Sequence, residues 1–161
     1  MRLGYLFSRF PVISQTFCLN EMVALERQGV EIAVGSIHPP QNTLRHEQML
    51  ELRAPVHYAP PAPVLKTWQG LAEEEERWPE ELIEAHLRQF GEPTKAELRA
   101  RNALPFARWF RQLGIGHCHV HFANRATHTA LFVRELAGIG FSFTVHGQDF
   151  LVDLGNDDLL R

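Results

Sequence analysis

Short dense apolar runs alternate along this chain with longer stretches of helical period. Residues 3–7 form the first dense run and predict a buried strand. A loop follows, Ser8-Arg9-Phe10-Pro11-Val12-Ile13-Ser14-Gln15. Its proline forbids a helix there, and Ser14 or Thr16 is positioned to cap the next one. Over residues 16–28, Cys18, Met22 and Leu25 share one helical face while Glu21, Glu26 and Arg27 point outward. Gly29 closes that helix, and residues 30–37 predict a second strand. Strand, helix, glycine and strand make a βαβ unit, whose crossover is right-handed almost without exception.

The pattern then weakens. Pro39-Pro40 ends the second strand, and residues 42–52 read as a short helix. Residues 55–59 read as a third strand, and 64–72 and 80–90 as helices. The run Glu73-Glu74-Glu75-Glu76 reads as a solvated surface. Thr94-Lys95-Ala96-Glu97 has capping-box spacing and predicts a helix start; Pro105 predicts a kink or split in that helix. Its arginines Arg99, Arg101, Arg108 and Arg111 could lie on an anionic membrane. Packing on the sheet with the arginines in water is the preferred reading.

The densest chemistry lies in residues 117–149. His117 to Phe122 predicts a strand, and Phe141 to Val145 another. Between them Ala126, Ala130, Val133 and Ala137 keep a helical face. The whole is β-α-β, an excursion over residues 39–105 with one strand, then β-α-β. That order predicts an α/β fold: an open, mostly parallel Rossmann-like sheet with helices on both faces, for which 3-2-1-4-5 is taken as a common strand order. The first and fourth strands then meet at the switch point, and the loop 8–16 faces residues 121–125 across one crevice.

The 161 residues suit one domain, and a net charge of −3 gives no reason to expect nucleic acid. Cys18 and Cys118 read as core hydrophobes in a reducing compartment. No stretch approaches the ~20 apolar residues that span a bilayer, and the N-terminus lacks a secretory pattern. A cytoplasmic protein is expected, with peripheral contact at the inner membrane face left open. Residues 153–161 resemble the start of another element, so the chain is expected to be part of something longer.

His117, His119 and His121 alternate along one strand and share a sheet face. Three histidines on one face suggest zinc. However, same-face neighbours on a strand stand ~6.6 Å apart, too far for three consecutive ones to reach an ion ~2.0–2.1 Å from each nitrogen. The preferred reading puts His117 at the solvent-facing start, His119 in a hydrogen-bonded core position and His121 in the crevice. His146, just past a strand and before Gly147, is a candidate for contacting phosphate or sugar. Arg9 and the helix N-terminus near Thr16 could hold an anion. A G-x-G-x-x-G fingerprint is absent, which argues against an ordinary dinucleotide oxidoreductase.

Three segments resemble the N-terminal domain of family 4 GT-B glycosyltransferases, of the colanic-acid and exopolysaccharide type. They are Leu6-Phe7-Ser8-Arg9-Phe10-Pro11-Val12-Ile13-Ser14-Gln15-Thr16-Phe17, with the helix after it; His119-Val120-His121-Phe122-Ala123; and Phe141-Ser142-Phe143-Thr144-Val145-His146-Gly147-Gln148-Asp149. The resemblance implies sugar transfer from a nucleotide-diphosphate sugar to a glycan or lipid-linked acceptor, with retention and without a required metal or other cofactor. It implies His146 as the catalytic residue near the donor sugar. It implies Ser14, Gln15, Thr16, His121, Asn124, Gly147 and Asp149 as substrate-binding, and Arg9 as a phosphate contact. The chain departs from the family in a first loop without glycine, and in Gln15 where glutamate is frequent. The donor-binding C-terminal domain with its paired-glutamate motif is not in this sequence, so the chain alone is expected to be inactive. Two other readings compete: a non-catalytic α/β pairing module and a histidine-rich metallohydrolase.

Overall fold

The computed structural model describes residues 2–41 and 47–147. Five strands lie in the order β3-β2-β1-β4-β5, every pair parallel. They are β1 (Arg2–Arg9), β2 (Glu31–His38), β3 (Val56–Tyr58), β4 (His117–His121) and β5 (Gly140–Thr144). The sheet expected to be mostly parallel is parallel throughout, and its order is the common 3-2-1-4-5 arrangement. The helices are α1 (Thr16–Arg27), α2 (Ala62–Glu74), α3 (Glu80–Phe90), α4 (Ala96–Leu113) and α5 (Arg125–Ala137).

The sheet grows from β1 to β2 in one direction and from β4 to β5 in the other. Right-handed crossovers therefore put α1 and α5 on opposite faces. The cores agree. On one face Tyr5, Phe7 and Val34 pack with Cys18, Leu19 and Met22 of α1. On the other, Leu6, Cys118 and Val120 pack with Phe106 and Phe110 of α4 and Ala130 and Val133 of α5. Alternation along each strand feeds both layers at once, which is why these strands are apolar throughout. Both cysteines are buried thiols, and burial pushes each up to about 12. Gly4 and Gly35 let α4 close on the sheet: a Cβ at either would come within 2.8 Å of the Phe110 or Phe106 ring.

Several local expectations need correction. The N-cap of α1 is Gln15, and neither Ser14 nor Thr16 caps it. The turn before α1 closes through the Gln15 amide donating to Val12 O, and the Gln15 carbonyl accepts from the Leu19 amide. The capping box at Thr94 does not form. Thr94 ends a 3-10 turn and its hydroxyl donates back to Gly91 O, while Lys95, in the left-handed region, precedes α4. Glu97 accepts instead from Gln69 and Arg101. Pro105 does not split α4, which runs as one helix with Ala103, Phe106, Ala107 and Phe110 buried along its length. That packing holds the helix together across the missing proline donor. Arg99 is not in water: it is buried, and its Nε donates to Thr94 O. Arg108 and Arg111 are exposed as expected, and so is the glutamate run at the end of α2.

The helix expected over residues 42–52 lies partly outside the described residues, and the described part holds a 3-10 turn, Glu47–Leu50. Asp149 and the segment 153–161 also lie outside them. No helix among the described residues is long and apolar enough to cross a membrane.

Candidate functional site

The site gathers at the carboxyl rim of the sheet, where β1, β4 and β5 end. His117, His119 and His121 share the α1 face, as strand alternation requires. His117 Nε2 and His119 Nδ1 both meet Ser142 Oγ, at 2.7 and 2.8 Å, and His119 Nε2 lies 3.2 Å from Thr144 Oγ1. The strand register makes this possible, because His119 sits opposite Ser142 and His121 opposite Thr144. One serine hydroxyl carries one proton, so it donates to one of its two imidazoles and accepts from the other.

His121 is 2% exposed, stacked beside Tyr5 and Phe7. Its Nδ1 stands 3.1 Å from His146 Nε2. Phe17, in the first turn of α1, covers both imidazoles, with ring centroids 5.8 Å from His121 and 4.7 Å from His146. Thus the fold brings together His121, His146 and the start of α1. Burial holds His121 below the usual imidazole range, opposed by Glu21 and helped by His146. Burial also holds His119 down, aided by His121. Both rings are therefore neutral near pH 7.

Glu21 is the group that pattern reading missed. Helical periodicity assigns it an outward position, and its side chain is indeed 44% exposed. Yet it leans over the sheet. Its Oε1 accepts from the Tyr5 hydroxyl at 2.5 Å and lies 3.4 Å from His121 Nε2. The latter contact has ion-pair distance but not hydrogen-bond geometry, so among the described residues the buried His121 Nε2 has no hydrogen-bond partner. Burial, and the Glu21 carboxylate beside it, push the Tyr5 phenol above its ordinary range.

Phe122 follows His121 with φ of 75°, a left-handed backbone costly for an aromatic residue. It is held from several sides. Its amide donates to Thr144 O, and its carbonyl accepts from the buried Thr127 hydroxyl at 2.6 Å and from the Asn124 amide. The bend turns the chain out of β4 and into α5. There Asn124 Oδ1 caps the helix, accepting from the Ala126 amide at 2.8 Å. That oxygen is thereby committed to the helix.

The other expected residues divide. Ser14 and Gly147 are exposed, and Gln15 and Thr16 are half-buried. Gln15 Oε1 is buried without a hydrogen-bond partner among the described residues. Arg9 ends β1 and donates to Pro39 O. It lies opposite His38 at the end of β2. Arg125 starts α5, and Arg99 lies in α4. Burial, then Arg9, Arg125 and Arg99 in turn, hold His38 below its ordinary value. Burial and Arg125 do the same to Arg99. Among the described residues none of Arg9, Arg99 and Arg125 pairs with a carboxylate. Positive charge is thus concentrated at this rim with no carboxylate partner among the described residues. Only Arg9 was recognisable from sequence as an anion contact; the other two arginines come from elements distant in the chain.

Fold and site together define a Rossmann-like α/β domain with an imidazole-lined crevice and a cationic rim. Compared with protein-family models, curated proteins and solved structures, the chain has no significant match.

Proposed function

We propose that the chain is the acceptor-side domain of a retaining glycosyltransferase. It would transfer a sugar from a nucleotide-diphosphate sugar to a glycan or lipid-linked acceptor in polysaccharide biosynthesis. The observation that carries this reading is the convergence of His121, His146 and the α1 turn at one rim of a parallel sheet, where open α/β sheets bind ligands. The three segments that resemble family 4 GT-B enzymes supply those same residues. The unpaired charge of Arg9, Arg99 and Arg125 also supports it, because a departing diphosphate needs cationic stabilisation. In this reading His146 contacts the donor sugar, and Ser14, Gln15, Thr16, His121, Asn124, Gly147 and Asp149 serve substrate binding. Transfer requires no metal and takes place at the cytoplasmic face of the membrane or in the cytoplasm. A second Rossmann half holds the donor, so the 161-residue chain alone turns over no nucleotide sugar.

The test is sugar transfer by the complete gene product. His146→Ala should cut turnover far more than it weakens donor binding. Unchanged turnover removes His146 from the site, and turnover by the 161-residue chain alone refutes the two-domain requirement. One observation favours a pairing module instead: Ile13 and Phe17 at the crevice rim are 49% and 41% exposed. A complete gene product that lacks transferase activity and forms a stable complex through Phe17 would support that reading.

A further inference from the structure

One donor set in the crevice is not accounted for by sugar transfer. Glu21, His119 and His121 each offer a ligand atom, and the three atoms lie within 4.8 Å of one another. The spacing argument that disfavours zinc on three consecutive strand histidines does not apply here. The third donor is not His117 but a carboxylate reaching across from α1.

We propose that Glu21, His119 and His121 bind a borderline divalent cation of the zinc class, with a fourth position open to solvent or a crevice ligand. Two imidazoles and one carboxylate are an established zinc donor set with three protein ligands. Ligands ~2.0–2.1 Å from a tetrahedral ion stand roughly 3.4 Å apart, and the Glu21 Oε1 to His121 Nε2 separation is already 3.4 Å. His119 completes the set by giving up its long contact, 3.2 Å, to Thr144.

The independent observation is the state of His121. A neutral imidazole carries one ring proton. If Nδ1 donates to His146, the Nε2 lone pair faces the Glu21 carboxylate, acceptor against acceptor. If His146 donates instead, the Nε2 proton points into a contact that misses hydrogen-bond geometry. Either way a nitrogen on a residue 2% exposed goes unsatisfied, which is costly. A cation between Nε2 and Glu21 satisfies the lone pair and the carboxylate together. The surroundings already form a supporting shell. The Tyr5 hydroxyl donates to Glu21, and His146 engages the far nitrogen of His121. Such partners orient metal ligands and fix their tautomers.

The purified chain, stripped with a chelator, is titrated with zinc chloride against a chromophoric competitor. One ion per chain with micromolar or tighter affinity is expected. Glu21→Gln, at an exposed helical position that should not disturb folding, and His119→Ala should each weaken binding by at least about tenfold. His117→Ala should leave it unchanged. Cobalt substitution should give the visible spectrum of a four-coordinate site. Absence of stoichiometric zinc, or zinc binding indifferent to Glu21→Gln and His119→Ala, overturns the proposal. The inference does not rest on sugar transfer: the titration reads ion binding alone, so the two can fail separately.

Discussion

His121 and His146 meet nitrogen to nitrogen at 3.1 Å, joining the end of β4 to the residues just after β5. One ring must donate and the other accept, so each sets the tautomer of its partner. Removing His146 should therefore change the tautomer populations of His121. Nitrogen-15 spectra of the histidine rings at pH 7 should show the His121 resonances shift in His146→Ala while those of His86 stay in place. Unmoved His121 resonances would mean that the pair is not hydrogen-bonded in solution.

Asn124 carries a stability role separable from any part in substrate binding. Its Oδ1 caps α5. Asn124→Ala should cost about 1 kcal/mol, read as a lower urea midpoint with an unchanged slope. Asn124→Ser should restore most of it, since serine caps equally well. If serine restores stability but not sugar transfer, the amide also serves the cleft.

Gly35 sits in the middle of β2 beneath α4. A methyl group there would come within 2.8 Å of Phe106 Cδ1 and 2.9 Å of Leu6 Cδ1. Gly35→Ala should destabilise the fold by about 1–3 kcal/mol through overpacking. Adding Phe106→Leu should recover part of the loss. A neutral Gly35→Ala, measured by thermal or urea unfolding, would show that α4 can shift outward freely.

A second histidine pair should lower stability in acid. His86 Nε2 and His128 Nδ1 are 2.9 Å apart, buried between α3 and α5. Burial, reinforced by Arg99 for His86 and by His86 and Arg99 for His128, lowers each from 6.5 to about 4. Below pH 6.5 the unfolded chain takes up protons that the folded chain refuses. The pair's contribution is therefore intact above that pH and is lost progressively as the pH falls towards 4. Urea midpoints measured across this window should fall with pH. The double variant His86→Leu/His128→Leu should show a shallower fall, and an identical slope would absolve the pair.

The strand and helix periods, the glycine after α1 and the break at Pro39-Pro40 determine most of this architecture. They suffice because strand alternation and helical period are local properties, and right-handed crossovers leave few ways to stack them. With the common 3-2-1-4-5 strand order assumed, the meeting of His121, His146 and the start of α1 at one rim could be expected from element order and handedness.

What only the tertiary structure decided concerns side chains whose partners are remote in sequence. Helical period puts Glu21 in solvent; its reach to Tyr5 and His121 depends on how α1 crosses the sheet. Arg99 reads as a surface charge, yet it is buried beside Arg125. Thr94 has the spacing of a cap, but the turn from Gly91 takes its hydroxyl. Pro105 ought to break a helix, yet packing on both sides outweighs the one lost backbone bond. Each outcome is a competition between a local preference, worth about a kilocalorie in the case of a cap, and the burial of many side chains at once. A linear pattern states the preference, and only the folded chain shows which side prevails.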